Sequence, residues 1–216
     1  MDNKILPQGS CGNNDLDGAI ARASASLLRA QKPDGHFIFE LEADATIPAE
    51  YILMTHYLGE QQKTALEQKM ATYLRRIQGV HGGWPLYYKG AFDMSASVKA
   101  YFALKMAGDP INASHMRRAR TAILSNGGAA RSNVFTRILL ALYGEMPWRT
   151  TPTMPVELML APKWFPFRLD MISYWARTVL VPLLVICDLK PRARNPRSVR
   201  IDELFIIPPD QVRKWP

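Results

Sequence analysis

Between residues 16 and 30 the apolar side chains fall at Leu16, Ile20, Ala23, Leu27 and Ala30, spacings of four, three, four and three that lay one stripe along a helix. Asn14 and Asp15 stand where a side-chain oxygen can cap the first free backbone amides. The stripe breaks in Gln31-Lys-Pro-Asp-Gly-His-Phe37, because Pro33 and Gly35 end a helix and force a turn. A second apolar segment occupies 49–58. The same order returns forty-seven residues on: Leu66, Met70, Tyr73, Leu74 and Ile77 form a stripe, and Gln78-Gly-Val-His-Gly-Gly-Trp84 follows. Both loops read Gln-x-x-x-Gly-x-aromatic. The segment 95–106 reads as the next helix, ending near Gly108. A third, weaker copy has Met116, Ala119 and Ile123 before Ser125-Asn-Gly-Gly128, then 134–142 ending near Gly144, and it lacks both the Gln and the aromatic.

Helical hairpins repeated at this period predict an all-α repeat architecture, each pair burying its apolar face against its neighbours. Short glycine loops make the paired helices antiparallel. No run of alternating strands occurs, which excludes a Rossmann fold or a β-sandwich. Pro147, Pro152, Pro155, Pro162 and Pro166 predict an irregular stretch with one helical turn at 156–160. A helix over 170–189 follows, kinked or interrupted near Pro182. The segment 190–200 holds five basic residues, two prolines and no acid, which makes it a loop. The chain thus divides into a tail at 1–15, a helical-repeat domain at 16–189 and a basic, Pro-rich continuation at 190–216.

Composition narrows the class. The 216 residues are 48% hydrophobic and 21% charged, enough for a real core and unlike a disordered tail or a coiled coil. Lys plus Arg number 27 against 19 Asp plus Glu, so a net charge of +8 brings anionic partners into view. Nucleic acid fits poorly, since no aromatic interleaves the basic residues and no binding motif is present. The loop 190–200 could instead meet anionic lipid headgroups. Cys11 and Cys187 are too few and too far apart for a disulfide framework, which suits a reducing compartment. Residues 1–18 lack the pattern of a secretory signal. The longest apolar stretch, 179–187, contains Pro182 and falls short of the roughly 20 residues that span a bilayer.

Candidate chemistry is sparse. His36, His56, His81 and His115 show no pair at metal spacing and read as surface or loop histidines, so no metal is expected. No phosphate-binding glycine loop occurs and neither cysteine has a base nearby in sequence, so neither a nucleotide cofactor nor a thiol hydrolase is supported. Gln31 and Gln78 carry amides able to pair with helix-end backbone groups. Trp84 can cover those bonds, and Phe37 in place of a tryptophan makes the first loop the weaker copy.

The two Gln-x-x-x-Gly-x-aromatic loops resemble the QW repeat of class II triterpene cyclases. The resemblance extends through Ala49-Glu-Tyr51, Lys99-Ala-Tyr-Phe-Ala-Leu-Lys105, Asn133-Val-Phe-Thr-Arg137, Gly144-Glu-Met-Pro-Trp148 and Ser173-Tyr-Trp-Ala-Arg177, in that order, from about residue 16 to residue 209. Over that span the chain is similar to the N-terminal part of squalene-hopene cyclases. The resemblance implies an incomplete α/α barrel, or toroid, with QW loops as structural staples built on Gln31, Gly35, Phe37, Gln78, Gly82 and Trp84. It also implies a monotopic protein at the cytoplasmic face of a membrane, squalene or a similar polyprenoid as substrate, and a C-terminal cyclase part in the same or an adjacent chain.

The family's catalytic acid lies in a DXDD motif, and none occurs here. Asp15-Leu16-Asp17-Gly18 lacks the last acid and precedes a helical stripe, where acidic residues favour the positive helix end. No catalytic residue is therefore assigned. Phe135 and Trp175 match positions that line the family's cavity, and Glu50 matches a glutamate near its acid centre. Without the match, Phe135 and Trp175 would read as core and Glu50 as a solvated helix residue. The expectation is an N-terminal cyclase domain, inactive alone; the alternative is a noncatalytic α/α-repeat protein that binds a lipid or a protein partner.

Overall fold

The computed structural model describes residues 13–38, 42–60, 64–152, 154–166 and 168–211, and these fall into two compact units that divide between Glu42 and Ala43. Among the described residues the chain is all-α, with no strand and one isolated backbone pairing, between Trp84 and Asp93.

The first unit holds helix α1, Asn13–Ala30, and the loop after it. The helix starts earlier than the apolar stripe suggests, so Asp15 sits inside the first turn, where its charge complements the helix dipole. Leu16, Ile20 and Leu27 lie more than half exposed. In the loop, Gln31 Nε2 donates to Gly35 O at 2.7 Å, and the backbone closes through Lys32 N to His36 O and Gly35 N to Lys32 O. Gly35 takes a φ of +89°, a left-handed value that a side chain resists.

The second unit contains six helices: α2 Thr46–Leu58, α3 Thr64–Arg76, α4 Met94–Met106, α5 Ser114–Ser125, α6 Val134–Tyr143 and α7 Tyr174–Leu189. Helices α2, α4 and α6 each start on a side-chain cap or a turn bond. Asp44 Oδ1 accepts from Thr46 N, Asp93 Oδ1 from Ala96 N and Asn133 Oδ1 from Thr136 N. Left-handed Gly59 and Gly144 close α2 and α6.

Helices α2, α4 and α6 run in one direction. Near their starts Asn133 N donates to Ser95 Oγ, and near their ends Phe102 and Tyr143 meet edge to face at 4.8 Å while the Tyr143 hydroxyl donates to Leu53 O. Helix α3 returns antiparallel to α2: Glu67 in the first turn of α3 meets His56 in the last turn of α2, and the Tyr73 hydroxyl reaches Ala43 O at the other end. Nearly every side chain of α4 is buried, so this helix is the centre of the core. Ile201 and Leu204 from the C-terminal segment complete it.

Three local expectations change. The last helix begins at Tyr174 rather than residue 170, because Ser173 Oγ accepts from Ala176 N and Leu169–Met171 forms a separate 3-10 turn. The helix does continue through Pro182. His56 is fully buried in α2, paired with Glu67 at 3.0 Å, where the spacing argument alone put it on the surface or in a loop. The segment 190–200 is a loop, as its composition predicts, and it is anchored: Ala193 N donates to Leu142 O and Arg194 N to Tyr57 O.

Candidate functional site

The loop 78–84 reproduces the turn of the loop 31–37. Gln78 Nε2 donates to Gly82 O at 2.6 Å, Gly79 N to Gly83 O and Gly82 N to Gly79 O, with Gly82 at a φ of +88°. Around that shared turn the second loop also meets α5. Gln78 Nε2 also donates to His115 O in the first turn of α5 at 2.9 Å, and Arg118 donates to Gln78 Oε1. The helix-end carbonyl, that of Leu74, is taken by Trp84 Nε1 at 2.8 Å rather than by the glutamine. Trp84 is fully buried, whereas Phe37 at the matching place is 46% exposed.

The candidate site lies where α2, α4 and α6 begin. Asn133 is tied to Ser95, and one turn further along the same face of α4 Lys99 Nζ donates to Glu50 Oε1 at 2.5 Å. The Lys99 side chain is 8% exposed and Glu50 49%. A nearly buried ammonium needs an anion within reach, and Glu50 supplies it while keeping half its surface open. Phe135, in the first turn of α6 next to the Asn133 cap, is 56% exposed. The structure therefore brings Glu50 and Phe135 to the same end of α4. Trp175, in the first turn of α7, is 77% exposed, and α7 packs chiefly on the 3-10 turn Val156–Leu160. Among the described residues no hydrogen bond, ion pair or ring contact joins Trp175 to Glu50 or Phe135.

Sequence reasoning passed over Lys99 as a site residue. Its signal was available: it stands in a helix whose other residues from Ser95 to Leu104 are small, hydroxylic or apolar, leaving no polar face for a charge to occupy. The set formed by His56, Glu67 and Arg197 was less legible, since Arg197 Nη1 reaches Glu67 Oε1 at 3.1 Å across 130 residues of sequence.

A cleft of about 610 Å³ opens beside the C-terminal end of α6, lined by Gly144, Trp148, Lys190, Arg192, Arg200 and Asp210 among others. Glu145 borders it. Burial pushes the Glu145 carboxyl above its ordinary range, against the opposing pull of the Ile201 amide and Arg200. Among the described residues no three His, Cys, Asp or Glu side chains gather at metal-binding distance, and no helix is long and apolar enough to cross a membrane.

Residues 20–216 match the family described as squalene-hopene cyclase N-terminal domain. The chain is 60% identical over 197 residues to the squalene--hopene cyclase of Bradyrhizobium diazoefficiens, covering 91% of this chain and 30% of that protein. It is 61% identical over 194 residues to the squalene--hopene cyclase of Zymomonas mobilis, with 90% and 30% covered. To the squalene--hopene cyclase of Alicyclobacillus acidocaldarius it is 36% identical over 186 residues, with 86% and 29% covered. The chain thus spans about 30% of the length of these curated relatives. With its repeated helix, loop and helix units and this match over nearly its whole length, the chain belongs to the squalene-hopene cyclase family.

Proposed function

We propose that the chain supplies the N-terminal part of a class II cyclase that converts squalene, or a similar polyprenoid, into a hopene-type product in hopanoid synthesis. The observation that carries this reading is the exposure of Phe135 and Trp175, two large aromatics in the first turns of capped apolar helices in a chain of this family. Side chains of that size so placed call for an apolar cover. A polyprenoid cavity walled jointly with the polypeptide absent from this chain provides one, and the repeated hairpins suit one α/α barrel of the toroidal kind. A noncatalytic repeat protein has no specific observation in its favour.

The division of labour follows from the chemistry. Protonating an isolated alkene takes an unusually strong acid in a water-poor site. The sequence contains no DXDD motif, so that proton must come from the rest of the enzyme. The residues here act on the cation after it forms. The ring faces of Phe135 and Trp175 attract cationic charge at about 0.5 to 2 kcal/mol each without offering a basic atom that would end the cascade. Glu50, held by the Lys99 ammonium, keeps a fixed position at the site's edge. Incubated with squalene in detergent, the purified chain should give no cyclic product by extraction and gas chromatography. A hopene peak from the chain alone would refute the assignment of the acid to the missing part.

The reading also places the protein at a membrane surface, since squalene resides in the bilayer. Within the basic loop Arg197 is engaged by Glu67 and Arg200 by Asp202, which leaves Lys190, Arg192 and Arg194, all exposed, as the groups able to meet lipid phosphates. At about 1 kcal/mol per residue, replacing the two arginines by Gln should weaken binding to anionic vesicles roughly thirtyfold at low salt, with little effect on neutral vesicles. Sedimentation across a salt series measures it. Equal binding by both proteins at low salt eliminates this anchor.

A further inference from the structure

The cleft beside the C-terminal end of α6 collects charge that the fold does not use. At about 610 Å³ it falls within the size range of pockets for small organic ligands. Lys190 and Arg192 line it, and among the described residues neither side chain has a hydrogen-bond or ion-pair partner. Their neighbour Arg200 is already engaged, with Nη2 2.9 Å from Asp202 Oδ1 and Nε 3.7 Å from Glu145 Oε1. Nor are the two free cations spent on the helix ends beside them. Leu140 O, Ala141 O and Leu142 O at the end of α6 receive the backbone amides of Glu145, Gly144 and Ala193, and Ile186 O of α7 receives that of Lys190.

Both cations are nevertheless held in place. Lys190 closes α7 at a φ of +46°, a left-handed position that glycine fills without strain, so a side chain is kept there at a conformational cost. Arg192 lies over Gly144, where a Cβ would stand 3.3 Å from its Nη2, so the bare turn lets the guanidinium approach. Trp148 and Asp210 also line the cleft. Trp148 is half-buried in a 3-10 turn closed by Thr150 N to Pro147 O, and Arg149 Nη2 ties that turn to Asp210 O at 2.9 Å. The Asp210 carboxylate is exposed and has no partner among the described residues.

We infer that this cleft binds a polyol phosphate, a phosphate ester whose organic part carries neighbouring hydroxyls. The phosphate takes Lys190 and the fork of Arg192. Asp210 repels a second anion and accepts hydrogen bonds without donating them, which selects hydroxyl groups at its place. The Arg149 guanidinium, bonded to Asp210 O, disfavours an ammonium there. The indole of Trp148 packs on the carbon chain between the two polar ends. The inference is independent of the cyclase reading. The same chemistry occurs in the glycerol headgroup of an anionic phospholipid and in a free glycerol or sugar phosphate.

Calorimetric titration of the full chain with glycerophosphoglycerol tests it, with inorganic phosphate and glycerophosphoethanolamine as comparisons. One saturable site is expected for glycerophosphoglycerol, tighter than for either comparison by about fivefold or more. Lys190→Gln and Arg192→Gln should each weaken it about fivefold, and Arg192→Lys should recover part of the loss. Asp210→Ala should remove the preference over inorganic phosphate. Arg194→Gln, outside the cleft, should change nothing. All these side chains are exposed, so unchanged circular dichroism and melting confirm that each variant is folded. The inference is overturned by absence of saturable binding to the wild type, by equal affinity for inorganic phosphate, or by tighter binding of glycerophosphoethanolamine. It is also overturned if Arg194→Gln costs as much as Arg192→Gln, which would mean a diffuse basic field. Vesicles then assign the source. Phosphatidylglycerol vesicles that displace the soluble probe better than phosphatidylserine vesicles of equal charge identify the lipid headgroup. Soluble binding without such displacement assigns a free polyol phosphate and takes this cleft away from the membrane anchor.

Discussion

Trp84→Ala is expected to lower the melting midpoint of the chain by roughly 6 to 20 °C, the largest effect of any single aromatic here. Trp84 is fully enclosed, and truncating a buried aromatic costs about 3 to 5 kcal/mol through lost burial and the cavity left behind. The substitution also strips the Leu74 carbonyl of the indole N–H that now satisfies it at the end of α3. At about 2 to 4 °C per kcal/mol for a chain of this size, the predicted shift follows. Phe37→Ala is the internal control. It removes an aromatic from the equivalent place in an identical turn, but one already 46% exposed, so its cost should stay under about 1 kcal/mol. Calorimetry on both variants decides the matter. Equal shifts would mean that the turn, rather than the enclosure of its aromatic, sets the stability of this hairpin.

That contrast also shows how far a sequence reading reaches. The repeat was legible because periodicity records which face each helix buries, and α3, α4, α5 and α6 lie where the apolar spacing puts them. Periodicity does not record whether the complementary surface is present. The stripe of α1 is as regular as that of α3, yet Leu16, Ile20 and Leu27 on the one are exposed while Leu74 on the other is fully buried and Met70, Tyr73 and Ile77 are half-buried. Glu50 and Phe135 came from resemblance, but their shared placement arises from Ser95 and Lys99, whose roles depend on contacts 38 and 49 residues away in sequence. His56 misled for the same reason. Its neighbours on α2 are apolar enough to bury it, and the carboxylate that makes burial tolerable lies on the next helix, at Glu67. The late start of α7 was set by a hydroxyl: Ser173 caps the helix, and the residues ahead of it close a separate turn instead.

The other large effect is expected at Asp109, which joins three elements. Its carboxylate receives Arg75 Nη2 at 2.5 Å and Nε at 2.9 Å from α3, and lies 2.7 Å from His115 Nε2 in the first turn of α5. Burial by itself would raise the Asp109 carboxyl, but the hydrogen bonds from Arg75 and His115 outweigh it and hold the group below its ordinary range. The Arg75 guanidinium is raised in turn, chiefly by its hydrogen bond to Asp109. Because the folded value of Asp109 lies below the unfolded one, the folded state binds this proton less readily. The stabilisation is therefore complete above the unfolded carboxylate value near 4 and is lost as the pH falls through the lower folded value. Breaking a buried ion pair costs about 3 to 5 kcal/mol, but the Arg75 side chain is 33% exposed and can regain water, so Asp109→Asn should cost about 2 to 3 kcal/mol near neutral pH. In urea denaturation, the gap between wild type and variant should hold at neutral pH and narrow below about pH 4, as the wild-type carboxyl itself protonates. A gap that stays constant down to pH 2 would show that Asp109 contributes through shape and hydrogen bonding alone, without the charge that links α3 to α5.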